Sequence, residues 1–320
     1  MRRARIRPGF LFVGTGRAGS NWVFEVLREH PEVFLPANKG TFFFNRFFEL
    51  GVDWYESFFS GSVDEKVAGE VCEDYLSNEL AIERIHEYRQ DMRLICCFRN
   101  PYERAISHWR FFARNGLEEP TITAQGNLRP DVYYLGYYAT QLRHLRSVFS
   151  QQQILVYLYD DLVSSAEGVA RAIYNFIGVD PYFLSSSLSV RVNASDKPRF
   201  KLFARFVHNV HMHSWGRSRV VSNFVGAVKR VRPLRKMIKS LLYKSTQMEE
   251  GWLDYLTEFP DEIIIRFEEE ISALECMLNR NLSNWRAPHE IVELARRRYE
   301  AEISDAGAQS GVSGALCVKQ

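Results

Sequence analysis

Apolar residues gather in short blocks along the chain, and each block is followed by a stretch in which they recur at helical spacing. The first block, Phe10-Leu11-Phe12-Val13, breaks into Gly14-Thr15-Gly16-Arg17-Ala18-Gly19. From Ser20 the period changes, and Trp22, Val23, Val26 and Leu27 mark one face of a helix that ends at His30-Pro31. The second block runs from Arg93 to Phe98 and stops at Arg99-Asn100-Pro101, after which Ala105, Ile106 and Trp109 carry a helical pattern. The third, Ile154-Leu155-Val156-Tyr157-Leu158, leads into a helix through Val169, Ile173 and Phe176, with Gly178 placed as its C-cap. Short apolar strands alternating with helices predict an α/β fold, a parallel sheet covered by helices on both faces.

Composition changes this picture little at first. The 46% apolar and 25% charged residues are those of an ordinary globular protein, and 320 residues can bury a sizeable core. We read one domain over residues 1–303 and a disordered Gly, Ala and Ser-rich tail over 304–320. Basic and acidic residues nearly balance, 41 against 39, so net charge selects no class of partner. The balance hides a segment from Lys197 to Met248 with 13 Lys or Arg, three His and no acid. Without it the rest of the chain carries 28 basic against 39 acidic residues. We expect a basic helical insertion there, about 197–248. Within it Lys229, Arg230, Arg232, Arg235, Lys236, Lys239 and Lys244 interleave with apolar residues. That face over 229–244 suits an anionic acceptor or peripheral contact with a membrane, or packs its apolar side on the domain. No nucleic-acid-binding module accompanies it, so no nucleic-acid partner is expected.

The five cysteines (Cys72, Cys96, Cys97, Cys276, Cys317) form no CxxC or Cys/His cluster, and we expect reduced, buried thiols. Cys96 and Cys97 adjoin in a strand and should face opposite ways. Arg2, Arg3, Arg5 and Arg7 precede an apolar stretch too short for a signal peptide. No run approaches the roughly 20 apolar residues of a membrane span. A soluble, cytoplasmic protein is the expectation.

The candidate chemistry sits where the blocks end. A strand, a glycine-rich turn and a helix N-terminus together make an anion site, because free amides and the helix dipole face the ligand. Gly14-x4-Gly19 has P-loop spacing, but Ser20 stands where a nucleotide-phosphate lysine belongs, and the cation is Arg17. Arg99 lies at the C-terminal tip of the second strand, with Ser107 about two helical turns on. Ligands of open α/β sheets bind at such strand ends. A guanidinium and a hydroxyl there can grip a second phosphate. Two grips on neighbouring strand ends suit a nucleotide with phosphates on both sides of its ribose.

These paired motifs resemble the sulfotransferases that use 3′-phosphoadenosine-5′-phosphosulfate (PAPS), in particular their bacterial and carbohydrate branch. Gly14 to Trp22 is similar to the family's 5′-phosphosulfate loop, and Arg99 to Trp109 to its 3′-phosphate element. The resemblance continues through His30 to Pro36, Gly69-Glu70, Asp74-Tyr75-Leu76, Gly136-Tyr137-Tyr138, Tyr159 to Leu162 and Phe176 to Val179. It closes on Leu274 to Leu278 and Leu282-Ser283-Asn284-Trp285, so it covers about residues 9 to 285 in order. It implies a P-loop-like three-layer fold with PAPS as co-substrate and no metal. The implied donor-binding residues are Arg17, Ala18, Gly19, Ser20, Asn21, Trp22, Arg99 and Ser107. Lys197 and Arg199 fall in a segment similar to a late loop that closes over the nucleotide, and a solvated basic turn is the other reading. Arg17 is implied as the catalytic cation. The acceptor would be a small molecule or a carbohydrate offering a hydroxyl of a sugar, phenol, lipid or natural-product alcohol.

One position departs from the family pattern. Where members often carry an acid after lysine, this chain reads Lys39-Gly40-Thr41-Phe42-Phe43-Phe44, and glycine cannot take a proton. Glu70, Asp74 and His108 are candidates to replace that acid, with Glu70 placed ahead of His108. Bland readings stand beside them: Glu70 as a structural carboxylate, His108 as a helix histidine capping a polar group. An acidic acceptor such as a phenol would need less help. Two other readings of the chain remain, a P-loop nucleotide-dependent kinase and a non-catalytic PAPS-binding homologue. The aromatic stretch Phe42 to Phe59 is expected to be mostly core, with some rings lining the acceptor cleft.

Overall fold

The three apolar blocks fold as strands β1 (Pro8–Gly14), β4 (Arg93–Phe98) and β5 (Ile154–Leu158), joined by β2 (Val33–Phe34) and β3 (Val67–Val71). All five are parallel, in the order β2-β3-β1-β4-β5, so the strand that feeds the glycine loop is central. This is a computed structural model, and it describes residues 7–62, 65–114, 131–188, 196–198, 243–245 and 252–313. The principal helices up to the middle of the chain are α1 (Ser20–Glu29), α2 (Phe43–Arg46), α3 (Val52–Glu56), α4 (Glu79–Tyr88) and α5 (Pro101–Arg114). After them come α6 (Asp131–Tyr134), α7 (Tyr138–Val148), α8 (Tyr159–Ser164) and α9 (Ala166–Ile177). The last two are α10 (Asp261–Leu278) and α11 (His289–Ser313).

β1 and β4 are buried almost throughout, which is why each reads as an apolar block and not as an alternation. The pleat divides their side chains between two cores. Leu11, Val13, Leu94, Cys96 and Phe98 face one, with Ile82, Ile85, Leu142, Leu145 and Ile271 from α4, α7 and α10. Phe10, Phe12, Ile95 and Cys97 face the other, against Trp22, Val23 and Leu27 of α1 and Val169 and Ile173 of α9. The two adjacent thiols thus lie on opposite faces of the sheet, as the period of a strand requires. Together the layers form the expected α/β three-layer fold. Cys276, expected buried, is exposed, because it falls on the outer side of α10.

Gly178 ends α9 in the left-handed region at φ 83°, and its amide caps the carbonyls of Tyr174 and Asn175. An added Cβ would meet Arg93 Nη1 at 3.2 Å. Gly178→Ala should therefore lower stability by about 1–2 kcal/mol, read as a shift of the denaturant midpoint at constant slope.

The C-terminal part of the domain is tied to the strand ends. Trp285 is buried, and its indole donates to Asp160 Oδ2 at 3.2 Å. Asn100, next to Arg99, donates to the Trp285 carbonyl at 3.4 Å. The Leu282–Trp285 anchor therefore braces the tip of β4.

One expectation about the later chain needs correction, and another falls largely outside the described residues. The tail does not lose structure at residue 304: α11 continues to Ser313, as helix-forming Glu300, Ala301, Glu302, Ala306 and Ala308 favour. Residues 314–320 lie outside the described residues. The basic helical insertion expected over about 197–248 lies almost wholly outside the described residues, which include only two short strands at its margins. β6 (Asp196–Pro198) and β7 (Tyr243–Ser245) pair antiparallel, with Lys197 opposite Lys244. Arg199 and most of the 229–244 cluster lie outside the described residues. No described helix is long and apolar enough to cross a membrane.

Candidate active site

The glycine loop leaves β1 at the middle of the sheet and turns directly into α1. Thr15 N–H donates to the Cys97 carbonyl at 3.0 Å, which holds the loop across the tip of β4. Gly19 stands before α1 in the left-handed region, and no side chain caps the helix. The first turn of α1 also lacks an acid, so its amides and dipole remain available to an anion. Ala18 and Trp22 are buried in the core, so a share of Ala18 in donor binding would come from its backbone amide, whereas the Trp22 amide already donates to the Gly19 carbonyl at 2.8 Å. Ser20 is buried beside the loop, and Asn21 is half-buried.

Arg17 lies at φ 71°, and its side chain crosses to α5. Its Nε and Nη2 both donate to Ser107 Oγ, at 3.2 and 3.1 Å, and its guanidinium covers the Phe111 ring at 5.1 Å. Arg99 Nη1 donates to the Arg17 carbonyl at 3.4 Å. Arg99 also pairs with Glu103 at 2.8 Å and lies over the Tyr159 ring at 4.7 Å. The structure therefore brings together the three residues that the sequence placed on two separate strand ends. Glu103 and Tyr159 complete the cradle of Arg99.

The candidates for proton removal are placed differently. Glu70 sits on β3 and is only 1% exposed. Thr41 N–H donates to its Oε1, Tyr55 OH donates to Oε2 at 3.0 Å, and Tyr75 OH lies 3.2 and 3.3 Å from the two oxygens. Burial pushes the Glu70 carboxyl above its usual range, and these hydrogen bonds pull it part of the way back. Both Glu70 oxygens are engaged within the core, the setting of the structural carboxylate that is its other reading. What it anchors is the turn at Gly40. That glycine has φ 73°, and an added Cβ would meet the Phe42 ring at 3.0 Å. The backbone here favours glycine over the acid that the family pattern would place there.

His108 follows Ser107 on α5, with its Nδ1 3.4 Å from Arg104 Nη1 and its ring 4.5 Å from Phe112. This is the setting of a helix histidine meeting a polar neighbour. Asp74 pairs with Arg46 at 2.7 Å. Burial, and then the charge of Glu73, push its carboxyl up to about 6 against the pull of Arg46 and Lys39.

Sequence reasoning missed one pair. Lys39 Nζ lies 2.6 Å from Glu73 Oε1 and donates to Ser20 Oγ at 2.9 Å, so it ties the segment before α2 to the loop. Lys39 and Glu73 are distant in sequence, and only the parallel pairing of β3 with β1 brings them together. The signal available was an acid at Glu73, between the Gly69-Glu70 and Asp74-Tyr75-Leu76 segments already singled out. The aromatic stretch is mostly core as expected: Phe43, Phe44, Tyr55 and Phe59 are fully buried, and Phe43 stacks on Tyr55 at 4.7 Å. Lys197 is described only as a paired strand residue. Among the described residues no group of three His, Cys, Asp or Glu is placed to hold a metal ion.

A central parallel sheet with an anion loop at its middle strand and paired arginines at the strand ends defines a P-loop-like group-transfer fold. The family model described as "Sulfotransferase domain" matches residues 7–191, more than half of the chain, and the protein belongs to that family. Among curated relatives, heparan sulfate glucosamine 3-O-sulfotransferase 6 of Homo sapiens is 31% identical over 186 residues, covering 54% of this chain and 52% of its own. Heparan sulfate glucosamine 3-O-sulfotransferase 3B1 of Homo sapiens is 25% identical over 181 residues, covering 54% and 46%. The chain thus spans about half the length of the curated relatives it matches. A sulfotransferase structure from Alicyclobacillus acidocaldarius shares the fold, with TM-score 0.61 and 20% identity over 88% of this chain and 99% of that one.

Proposed function

We propose that this protein transfers a sulfuryl group from PAPS to a hydroxyl of a carbohydrate acceptor. The observation that carries the reading is the convergence of Arg17, Arg99 and Ser107 from two neighbouring strand ends beside the uncapped start of α1. The loop amides and Arg17 would hold the 5′-phosphosulfate, and Arg99 and Ser107 the 3′-phosphate. Transfer of this kind gains most from alignment and from charge stabilisation of the leaving phosphate. Arg17 supplies that charge where the sulfur–oxygen bond breaks. The carbohydrate acceptor is supported by the two relatives named for heparan sulfate glucosamine.

The test is a thermal-shift comparison of PAPS, adenosine 3′,5′-bisphosphate and ATP with magnesium, followed by labelled PAPS with heparan sulfate oligosaccharides. Stabilisation by the first two and label transfer to the glycan are expected. Stabilisation by ATP with magnesium alone would replace this reading with a kinase. A related measurement isolates Ser107. Ser107→Ala should weaken adenosine 3′,5′-bisphosphate about tenfold, the value of one hydrogen bond to a charged group, in a calorimetric titration.

A further inference from the structure

Sulfation of a hydroxyl releases a proton, and a group at the site has to accept it. We propose that Glu73 is that group: its Oε2 takes the proton of the acceptor hydroxyl during transfer, an assignment that rests on the transferase reading above. Glu73 follows β3 and packs on the glycine loop, its Cγ 3.6 Å from where a Cβ on Gly16 would lie. Lys39 holds Oε1 at 2.6 Å, and the same ammonium is bonded to Ser20 at the start of α1. The carboxylate is therefore fixed at one oxygen beside the loop that would carry the sulfuryl group. The other oxygen, Oε2, is buried and has no hydrogen-bond partner. A buried carboxylate oxygen without a donor is costly and therefore uncommon, and an incoming hydroxyl is the kind of donor that would satisfy it.

The surrounding charges keep Glu73 in its basic form. Burial alone would raise its carboxyl, but the Lys39 charge and hydrogen bond, with Arg17 from the loop, hold it below the usual range. Asp74 beside it, itself paired with Arg46 of α2, takes the opposite shift. The alternatives are already engaged, Glu70 by three donors and Asp74 by Arg46. In the step itself the acceptor oxygen bonds to sulfur while the bond from sulfur to the 5′-phosphate oxygen breaks. That phosphate oxygen keeps the electron pair, and the acceptor's proton passes to Glu73 and later to solvent.

Glu73→Gln keeps the shape and removes the basicity. Its kcat and KM should be measured with labelled PAPS on a heparan sulfate oligosaccharide and on 4-nitrophenol, alongside the thermal shift given by adenosine 3′,5′-bisphosphate. We expect kcat on the oligosaccharide to fall about 100-fold, with the KM for PAPS and the thermal shift unchanged. The loss on 4-nitrophenol, a much stronger acid, should be far smaller. Equal losses on both acceptors would make Glu73 a positioning partner of Lys39 and overturn the proposal, as would an unchanged kcat. Should Glu73→Gln fail to fold, Glu73→Asp carries the comparison, and it should keep the wild-type ratio of sugar to phenol rates. A changed ratio in a folded Asp variant would count against the assignment. A wild-type protein that binds the bisphosphate and sulfates neither probe would instead overturn the transferase reading beneath it.

Discussion

Arg17→Ala should reduce label transfer from PAPS by about 10³-fold while the protein remains folded, measured as kcat with a glycan acceptor and checked by circular dichroism. The size follows from the place of the side chain. Its guanidinium joins the 5′ loop to Ser107, so it stands between the two regions assigned to the ends of the donor. Charge that builds on the leaving phosphate meets it in a partly buried setting, where a fixed cation counts for more than in water. The fold should tolerate the change, because alanine is no more strained than arginine at φ 71°. Arg17→Lys should recover part of the rate, since a point charge replaces a fork without its geometry. Near-normal turnover of the alanine variant would remove Arg17 from the reaction.

Glu70 gives the largest expected effect on stability. Glu70→Ala leaves the Thr41 amide and the Tyr55 and Tyr75 hydroxyls without their acceptor in a dry core, at about 1–3 kcal/mol for each group left unsatisfied. A total loss of about 3–9 kcal/mol should appear in chemical denaturation, on the same principle. Glu70→Gln keeps an acceptor at the same place and should retain both fold and turnover. A large fall in kcat for the Gln variant with its stability intact would return Glu70 to the proton-transfer step. The pH dependence has a definite sign. The Glu70 carboxyl is raised in the folded protein, so the folded state holds its proton more tightly than the unfolded chain does. Its contribution is therefore greatest below the ordinary carboxylate value and declines as pH rises through the raised one. Glu70→Gln should flatten that part of the stability profile.

The sequence carried the glycine loop and the strand-end arginines plainly. β1, its glycine loop and α1 are contiguous, as are β4, Arg99 and α5, so the strand-to-helix change of period and the strand-end arginines could be read from local pattern. β2 and β3 were harder to see. β2 has only two residues, and β3 is a five-residue strand that contains Gly69 and the buried acid Glu70. The surroundings of Glu70 and Glu73 depend on contacts between distant segments. Lys39 meets Glu73, and Thr41 meets Glu70, only once β3 has aligned beside β1. Burial also changed the setting of an acid: Glu70 looked open to chemistry in the sequence and lies hydrogen-bonded within the core. Gly40, which looked like a missing base, has a backbone reason of its own.

The small ribbon formed by β6 and β7 has a further consequence. Because Asp196–Pro198 lies against Tyr243–Ser245, Pro198 and Tyr243 are neighbours in space although far apart in sequence. A segment closed in this way can change length at little entropic cost, since closure grows only with the logarithm of the loop. It can be exchanged as a cassette without rethreading the five-stranded sheet or altering Arg17 and Arg99, although Arg199 goes with it. Replacing residues 199–242 with a two-residue type I′ turn such as Asn-Gly would join the two strands directly. The glycine loop and the strand-end Arg99 could then be engineered apart from the basic segment, and the part played by Arg199 read from the difference.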